Sequence, residues 1–450
     1  MRSNYLILLS FLFFPGWAQA ILPIEHWQTS NGARVYFVAN RDIPMLDVSI
    51  DFAAGSGFDR GEKPGVASMT NRIMRLGAEG LTEDDIARKT ADIGAGISGR
   101  FDSDRAGLAM RTLSSRAELD QALDVYTRIL HKPLFPQPAF EREKTRLLGA
   151  LKESDIQPGT IAGVTFNRLM YGTHSYGLRA SGGIESVGKI TRDDLVQFYQ
   201  RHYGARNAVI AIMGDVSRND ATAIAERIAA GLPKADAAST APTLPPVEAK
   251  AEKVTRLIAH HATQSHILIG AIGIARSDPD YFPLFVGNYV LGGGGFASRI
   301  NDEVRQKRGL AYSAGSYFSP LAQKGSFVIS MQTRKDQAQE AMDVTLKTLR
   351  DFVANGPTAD ELKDAKSNLV GGFPLRIDSN RKIHEYLAVI GYYNLSLTYL
   401  DEFIGNIERV TLADIKRAFA AKIDPDKLIT VVVGSEAAEK AGNAEKAAAR

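Results

Sequence analysis

The chain of 450 residues contains no cysteine. This absence excludes disulfides, thiolate catalysis and cysteine-based zinc sites. Basic residues never form a block and the formal net charge is only +3, so the composition predicts no nucleic-acid partner. Beyond the first 20 residues no segment is long and apolar enough to span a bilayer, and we expect no membrane span in the processed protein. The length allows two or more domains with complete cores.

The N-terminus has the pattern of a secretory signal peptide. Arg2 gives a positive start, residues 5–14 form a short apolar core, and Ala18-Gln-Ala20 is a small-x-small cleavage site. An uncleaved N-terminal anchor is the alternative interpretation. We predict a signal peptide over residues 1–20 and an exported protein, which would be periplasmic if the source is a bacterium.

The second half of the mature chain repeats the first half. Capped helix starts and Val/Ile-rich strands recur with a fixed offset of 220 residues, at Thr191 and Thr411 and at Gly214 and Gly434. Two unrelated domains would not share such features at one spacing. The sequence therefore predicts two homologous α/β domains related by pseudo-symmetry.

A Pro-, Ala- and Thr-rich segment separates the two halves and has no apolar period. Such a composition is typical of an exposed linker. The predicted organisation is an N-terminal domain at 21–233, a linker at 234–250, a C-terminal domain at 251–434 and a tail at 435–450.

The stretch from Gly65 to Gly77 follows a strand-like run, Leu46–Ala54, and a polar turn. Its apolar residues recur at helical spacing, which predicts a helix with one buried face. A strand, a glycine-containing turn and Gly-Val-Ala at a helix start resemble the first active-site helix of the pitrilysin/insulinase-type zinc peptidases. That family has His-x-x-Glu-His there, in which the two His bind zinc and the Glu is the general base.

The resemblance places Ser68, Asn71 and Arg72 at the three positions of that motif. Arg72 is the most informative change, because a permanently charged guanidinium cannot ligate a cation and repels one. In the family a Glu on a later helix, about eight residues before an Asp/Glu-x-Pro turn, supplies the third protein ligand. Ala150 occupies that position here, before Asp155-Ile-Gln-Pro158. We therefore expect neither a metal nor any other cofactor in this chain.

A second resemblance to the family lies in residues 289–314. The run Arg305-Gln-Lys-Arg-Gly-Leu-Ala-Tyr-Ser313 is similar to a family motif whose Arg and Tyr lie across the cavity from zinc in two-subunit peptidases, where they hold the bound peptide. The resemblance implies a substrate-binding role for Arg308 and Tyr312, whose donors suit carbonyl oxygens. From spacing alone, the alternative is that Arg308 pairs with a local acid and Tyr312 belongs to the core.

A glycine run precedes that motif, formed by Gly292, Gly293, Gly294 and Gly295. No Lys-Ser/Thr follows it, so it is not a phosphate-binding loop. Two interpretations stay open, since glycine has the backbone freedom for either. One is a helix-to-helix turn. The other is a mobile loop at the cavity mouth, as in the non-catalytic alpha subunit of mitochondrial processing peptidase.

The histidines do not suggest a metal site. His174 lies in a Tyr-Gly-x-His-x-Tyr-Gly turn and has no second ligand at suitable spacing. His260 and His266 flank an alternating run, and six residues of extended strand separate them by about 20 Å. We expect His174 to be a hydrogen-bonded turn residue and His266 to lie on a core or edge strand.

The resemblance covers nearly the whole mature chain and implies an α/β (α+β) fold. Each of the two domains would be a mainly antiparallel sheet with helices packed on it, and together they would form one half of a clam-shell. The implied function is a non-catalytic, substrate-binding subunit of a heteromeric zinc metalloendopeptidase. A homologous catalytic chain with an intact motif would carry the zinc, and extended peptides would add a strand to a sheet edge.

Two other functions are alternatives to this one. A non-enzymatic scaffold or assembly protein is the main alternative, because core subunits of respiratory complexes share this fold without activity. A retained Arg308 and Tyr312 pair argues against a pure scaffold. An independent hydrolase that uses Ser68 has no His or acid at triad-like positions to support it.

Overall fold

The computed structural model describes residues 23–59, 61–233, 242–248 and 252–437. The predicted signal peptide, most of the predicted tail, residues 234–241 and 249–250 of the predicted linker, and residue 251 lie outside these ranges. None of the helices in the described ranges has the length and apolarity needed to cross a membrane.

Two large sheets and a short two-stranded ribbon form the framework. The strands are β1 (Glu25–Gln28), β2 (Arg34–Ala39), β3 (Met45–Phe52), β4 (Gly77–Ala78), β5 (Leu81–Thr82), β6 (Gly96–Phe101), β7 (Ala106–Leu113), β8 (Ala208–Gly214), β9 (Val254–Ile258), β10 (Gln264–Ile272), β11 (Ala311–Ser319), β12 (Ser326–Arg334) and β13 (Ile429–Val433). The first sheet has the order β1-β2-β8-β3-β7-β6 and the second β11-β12-β10-β13-β9. Only β2/β8 and β9/β13 are parallel pairs among these strands.

Helices cover both sheets. They are α1 (Val66–Ile73), α2 (Glu83–Asp92), α3 (Arg116–His131), α4 (Gln137–Ser154), α5 (Pro158–Tyr171), α6 (Ile184–Lys189), α7 (Arg192–His202), α8 (Arg218–Ala230), α9 (Tyr281–Asn288), α10 (Arg299–Asn301), α11 (Ala338–Asn355), α12 (Ala359–Gly371), α13 (Asn380–Tyr392), α14 (Tyr399–Arg409) and α15 (Leu412–Lys422). Capping boxes begin α7 at Thr191 and α15 at Thr411, as the repeat predicts.

The two halves have the same topology. Without β1, the first sheet reads β2-β8-β3-β7-β6 and the second reads β9-β13-β10-β12-β11, with each strand in the place of its counterpart. The offset holds at strand starts, since Arg34 and Val254, and likewise Ala106 and Ser326, are 220 residues apart. The predicted α/β (α+β) fold of two related, mainly antiparallel units is confirmed.

Each sheet borrows a helix from the other half of the chain. Helix α5 belongs to the first half, yet Phe166 and Met170 pack in one cluster with Val431 of the second sheet. Helix α13 belongs to the second half, yet Leu387 packs with Met213 of the first sheet. The cores therefore do not separate at a single point in the chain, although the domain boundaries proposed from the sequence stay a prediction.

Buried Asp104, in the turn between β6 and β7, also joins the halves. Its carboxylate accepts hydrogen bonds from the Tyr176 and Tyr393 hydroxyls and from the Ala322 amide, and its carbonyl accepts from Tyr392. Burial raises the pKa of Asp104, although these donors act in the opposite direction. Such a shared polar centre fixes the two halves against each other.

The described part of the predicted linker does not run free in solvent. Val247 is buried, and Leu244 packs against the cluster that contains α5. Gln323 donates a hydrogen bond to the Leu244 carbonyl. Residues 243, 245, 246 and 248 are exposed, whereas the apolar side chains of Leu244 and Val247 anchor this segment to the fold.

Candidate functional site

Helix α1 begins at a turn that is capped by Asp59. Gly65 precedes it with φ at 105°, a conformation that favours glycine. The Asp59 carboxylate accepts hydrogen bonds from the amides of Gly65 (2.7 Å) and Ala67 (2.8 Å), which otherwise lack partners at a helix start. Burial raises the pKa of Asp59 to about 7, against the effect of these two bonds. The predicted helix and its buried face are present, with Met69 and Ile73 in the core.

Asn71, at the general-base position of the motif, has a structural role. It is buried, and its Nδ2 donates a hydrogen bond of 2.8 Å to the carbonyl of Gly107 in β7. A Cβ on Gly99 of β6 would lie 2.5 Å from Asn71 Oδ1, so a glycine there permits the close approach of helix and strand. Asn71 therefore fastens α1 to the sheet. Its side chain is an amide, which cannot act as a general base.

Arg72, at the second histidine position, forms an ion pair across two helices. Its Nε lies 2.6 Å from Oε2 of Glu143 in α4. The Glu143 side chain is only 8% exposed, whereas that of Arg72 is 47% exposed. Arg142 Nε lies 3.4 Å from the other carboxylate oxygen of Glu143. The pair joins α1 and α4. These are the two helices that, by the family resemblance, would supply the ligands of a shared metal ion.

The residues at the metal positions do not fit zinc. Ser68 is half-buried on α1, and Ala150 is exposed on α4, about two turns beyond Glu143. A zinc site needs three protein ligands of the His, Cys, Asp or Glu type, which these positions do not supply. Within the described ranges, no group of three or more such side chains is placed to hold a metal ion.

A second arginine lies in the turn directly after α1, near the first. Arg75 is half-buried, and its Nε donates a hydrogen bond of 3.3 Å to the Asn71 carbonyl. Burial, and then the positive charge of Arg72, lower the pKa of Arg75. The metal position of the family is thus replaced by a cationic surface.

Arg308 and Tyr312 do not share a cavity. The Arg308 Nη1 donates to the Glu303 carboxylate at 2.5 Å and to the Glu303 carbonyl at 2.8 Å, so Arg308 forms the local ion pair that one interpretation of the sequence predicts. Gly309, with φ at 63°, turns the chain before β11. Arg308 lines a cavity of about 420 Å³ together with residues of α11, while Tyr312 lines a different one.

Tyr312 is 82% exposed, so its alternative assignment to the core is wrong. It borders a cavity of about 440 Å³ on the second sheet, with His266 and Gln332 among the lining residues. The Arg305 guanidinium carbon lies 4.8 Å from the centre of the Tyr312 ring and 4.5 Å from that of Phe296. Arg305, and not Arg308, is therefore the arginine in contact with Tyr312.

The glycine run closes the end of a helix. Residues Tyr289–Gly293 continue α9 as a π-helical turn, and Gly295–Ala297 form a 3-10 turn. A Cβ on Gly292 would lie 2.5 Å from the amide nitrogen of Ser316 in β11, so this position requires glycine. The helix-to-helix turn accounts for Gly292, and the mobile-loop interpretation stays a prediction.

Both ring nitrogens of His174 have partners. Nδ1 accepts from the Tyr176 amide at 3.1 Å, and Nε2 lies 3.0 Å from the Pro245 carbonyl. His174 is therefore a hydrogen-bonded turn residue, as predicted. His266 lies on β10, which is a central strand between β12 and β13.

Sequence reasoning missed Glu143, Arg75 and Arg305 as members of the candidate site. Glu143 precedes Ala150 by seven residues, a spacing that places both on one side of a helix. Arg75 follows Arg72 by three residues and lies in the turn directly after α1. Those spacings could have identified both, whereas the stacking of Arg305 on Tyr312 depends on the turn at Gly309.

Comparisons with known proteins agree with this fold. Residues 34–177 match insulinase (peptidase family M16), and residues 189–369 match the peptidase M16 inactive domain. A peptidase M16 inactive domain from Pseudomonas fluorescens has a similar structure, with a TM-score of 0.88 and 34% identity over 92% of this chain and 98% of that one. A non-peptidase homologue from Helicobacter pylori is 24% identical over 90% of this chain and 93% of its own length.

A larger protein shares the fold. The periplasmic protease PqqL from Escherichia coli is 14% identical, with a TM-score of 0.78 over 97% of this chain. The match covers 49% of that protein, so this chain corresponds to half of its length. With family models matched over both halves, the chain belongs to the insulinase family of peptidases, peptidase family M16, and its second half matches the inactive domain of that family.

Proposed function

We propose that this protein is the non-catalytic, substrate-binding subunit of a heteromeric zinc metalloendopeptidase. The observation that carries the proposal is the Arg72–Glu143 ion pair, which occupies the metal position of an otherwise complete family frame. A catalytic chain would need zinc ligands and a general base at these positions. This chain has Ser68, Asn71 and Arg72 instead. Its contribution to proteolysis is therefore to bind and position the substrate.

The proposed partner is a homologous chain with an intact His-x-x-Glu-His motif, which would carry the zinc and activate the water. Two such chains would enclose one cavity. The match to half of the Escherichia coli protease supports this arrangement, because a single chain there has about twice this length. The signal-peptide pattern of residues 1–20 supports assembly in the exported compartment, which is the periplasm in a bacterium.

Extended peptides are the proposed substrates. The first sheet ends at β6 and the second at β11, so each of these strands has one side without a neighbour in its sheet. Unpaired N–H and C=O groups on such an edge can bind an added strand. Tyr312 stands near the start of β11 with its side chain exposed, and Arg308 lies four residues before it. We assign both to substrate binding, with Arg308 using the donors that Glu303 leaves free.

The test is purification of the tagged protein from its native host, with and without chelator. We expect a complex with a homologous zinc-motif chain of similar size, and chelator-sensitive hydrolysis of labelled peptides that needs both chains. Mixing the separately purified chains should restore that activity. A monomer or homodimer in extracts that contain such a chain would overturn the proposal and favour a scaffold.

A further inference from the structure

Helix α1 and the turn that follows it present a stripe of polar donors at the metal position that the family resemblance implies. Ser68 and Arg72 lie four residues apart on one face of α1, and Arg75 lies in the turn just beyond its last residue, Ile73, close enough to Arg72 for the two charges to interact. The Arg72 side chain is 47% exposed, and Ser68 and Arg75 are half-buried. All three are therefore open to a ligand, and they combine one hydroxyl with two guanidinium groups.

The positive charge of this stripe exceeds the negative charge that faces it. Glu143 engages only the Nε of Arg72 and is shared with Arg142. Asn71 gives Arg75 a neutral carbonyl, and no carboxylate of the described chain pairs with Arg75. A half-buried guanidinium beside a like charge is unfavourable unless an anion compensates it.

The stripe adjoins the open edge of the first sheet. A Cβ built on Gly99 of β6 would lie 3.1 Å from Arg75 Nε and 3.3 Å from its guanidinium carbon, so the arginine lies against this strand. Because β6 is the last strand of its sheet, a peptide that extends the sheet would run beside it. The donors of Arg72 and Arg75 would then meet the side chains or the end of that peptide.

We propose that Ser68, Arg72 and Arg75 form a subsite for a carboxylate of the bound peptide, either an acidic side chain or the C-terminal carboxylate. The planar donor fork of arginine matches a carboxylate in a bidentate way. This inference rests on the proposed peptide-binding function and narrows it to substrates that place a negative charge at the former metal position.

The experiment measures the binding of fluorescent peptides of alternating threonine and alanine to the intact protein. Three peptides differ only in charge: one has a central Glu and an amidated C-terminus, one a central Gln and an amidated C-terminus, and one a central Gln and a free C-terminus. We expect one of the two charged peptides to bind roughly ten-fold or more tightly than the neutral one, since a hydrogen bond to a charged group is lost. The charged peptide that binds more tightly shows whether the subsite binds an acidic side chain or the C-terminal carboxylate.

Variants locate the effect. Arg75→Gln should abolish the preference for the charged peptide and should not lower the melting temperature, because it removes an uncompensated charge. Arg72→Lys keeps a charge for Glu143 but loses the fork, and it should weaken the preference in part. Arg116→Gln, at a side chain that is 95% exposed on α3, is the matched control and should leave the preference intact.

The outcomes separate the two proposals. Equal affinity for all three peptides would overturn the carboxylate subsite and leave peptide binding standing. A preference for the charged peptide that survives in Arg75→Gln and Arg72→Lys would also overturn the carboxylate subsite, because other residues would then bind the carboxylate. Absence of binding by every peptide, to this protein alone and to its complex, would overturn the proposed function and the subsite together.

Discussion

The Nε of Arg72 lies 2.6 Å from Oε2 of Glu143, and this contact joins α1 to α4. In catalytic members of the family that this chain resembles, ligands from the same two helices bind one zinc ion and so connect the helices. Here a fixed positive charge on one helix faces a nearly buried carboxylate on the other. An internal cation has therefore taken the place at which a bound cation would otherwise hold the helices together.

The first prediction concerns the stability that this ion pair contributes. Arg72→Met should lower the free energy of unfolding by about 1–3 kcal/mol, because it leaves the carboxylate of Glu143 buried with a weaker partner. Glu143→Gln should cost a similar amount, and the double variant should cost less than the two single effects added together. Urea denaturation measures all three. Arg116→Met, at an exposed pair, serves as the control, and strict additivity would contradict a direct interaction.

A second prediction is that the protein alone binds no stoichiometric zinc and cleaves no peptide. Ser68, Asn71, Arg72 and Ala150 supply neither the three ligands nor the base that a catalytic zinc site needs. Elemental analysis and peptide hydrolysis on the purified protein are the measurements. Tightly bound zinc together with chelator-sensitive activity in the isolated chain would show that ligands exist elsewhere.

A third prediction is a pH dependence of stability that originates at Asp59. Its folded-state pKa of about 7 lies above the usual value of 3.8, because the carboxyl is buried at the start of α1. Between these pH values the folded protein holds a proton that the unfolded chain has released. The contribution of Asp59 is therefore complete below pH 3.8 and is lost as the pH rises through about 7, by up to about 4 kcal/mol.

The measurement is the difference in unfolding free energy between wild type and Asp59→Asn, followed from about pH 4 to about pH 8. The advantage of the wild type should shrink as the pH rises. An advantage that grows with pH would show that the ionised carboxylate is the better cap for the amides of Gly65 and Ala67.

A fourth prediction follows from the exchange of helices between the halves. Residues 21–233 expressed alone should not fold cooperatively, because Val38, Ala211 and Met213 lose the cover of α13. Adding residues 251–437 as a separate chain should restore a cooperative thermal transition. A sharp transition of the first half alone would show that its sheet does not need the borrowed helix.

The sequence was sufficient for the features that depend on local pattern. The strand Arg34–Ala39 and the capped helix after Thr191 follow from alternation and capping chemistry, and both are present. The repeat of 220 residues also carried the shared topology. The repeat does not predict that α5 and α13 each pack on the sheet of the other half. An apolar helix face does not specify which sheet it covers.

The candidate site likewise has features that the sequence predicts and features that only the structure shows. Residue identity alone predicts that the side chains of Arg72 and Ala150 do not ligate zinc, and this stays a prediction. The pairing of Arg72 with Glu143 needed the distance between two helices that are far apart in the chain. The separation of Arg308 from Tyr312 depends on the positive φ of Gly309, which redirects β11 and brings Arg305 to the tyrosine instead.

The last prediction tests the substrate-binding assignment of Arg308 and Tyr312 in the reconstituted complex. Arg308→Ala should lower kcat/KM roughly ten-fold to more than a hundred-fold, because a charged hydrogen bond to the peptide is worth about 1.5–3 kcal/mol. Tyr312→Phe removes only a hydroxyl and should cost about 0.5–1.5 kcal/mol. Both variants should assemble normally, as judged by the size of the complex.

Glu303→Gln is the matched control for this prediction. It keeps an acceptor for Arg308 but removes the charge that holds its Nη1, so it should leave kcat/KM nearly unchanged if Arg308 acts on the peptide directly. If Arg308 only anchors the turn before Gly309, then Glu303→Gln and Arg308→Ala should lower stability alike. An Arg308→Ala complex with wild-type kcat/KM would make this arginine structural and would leave Tyr312, stacked on Arg305, as the remaining candidate for contact with the peptide.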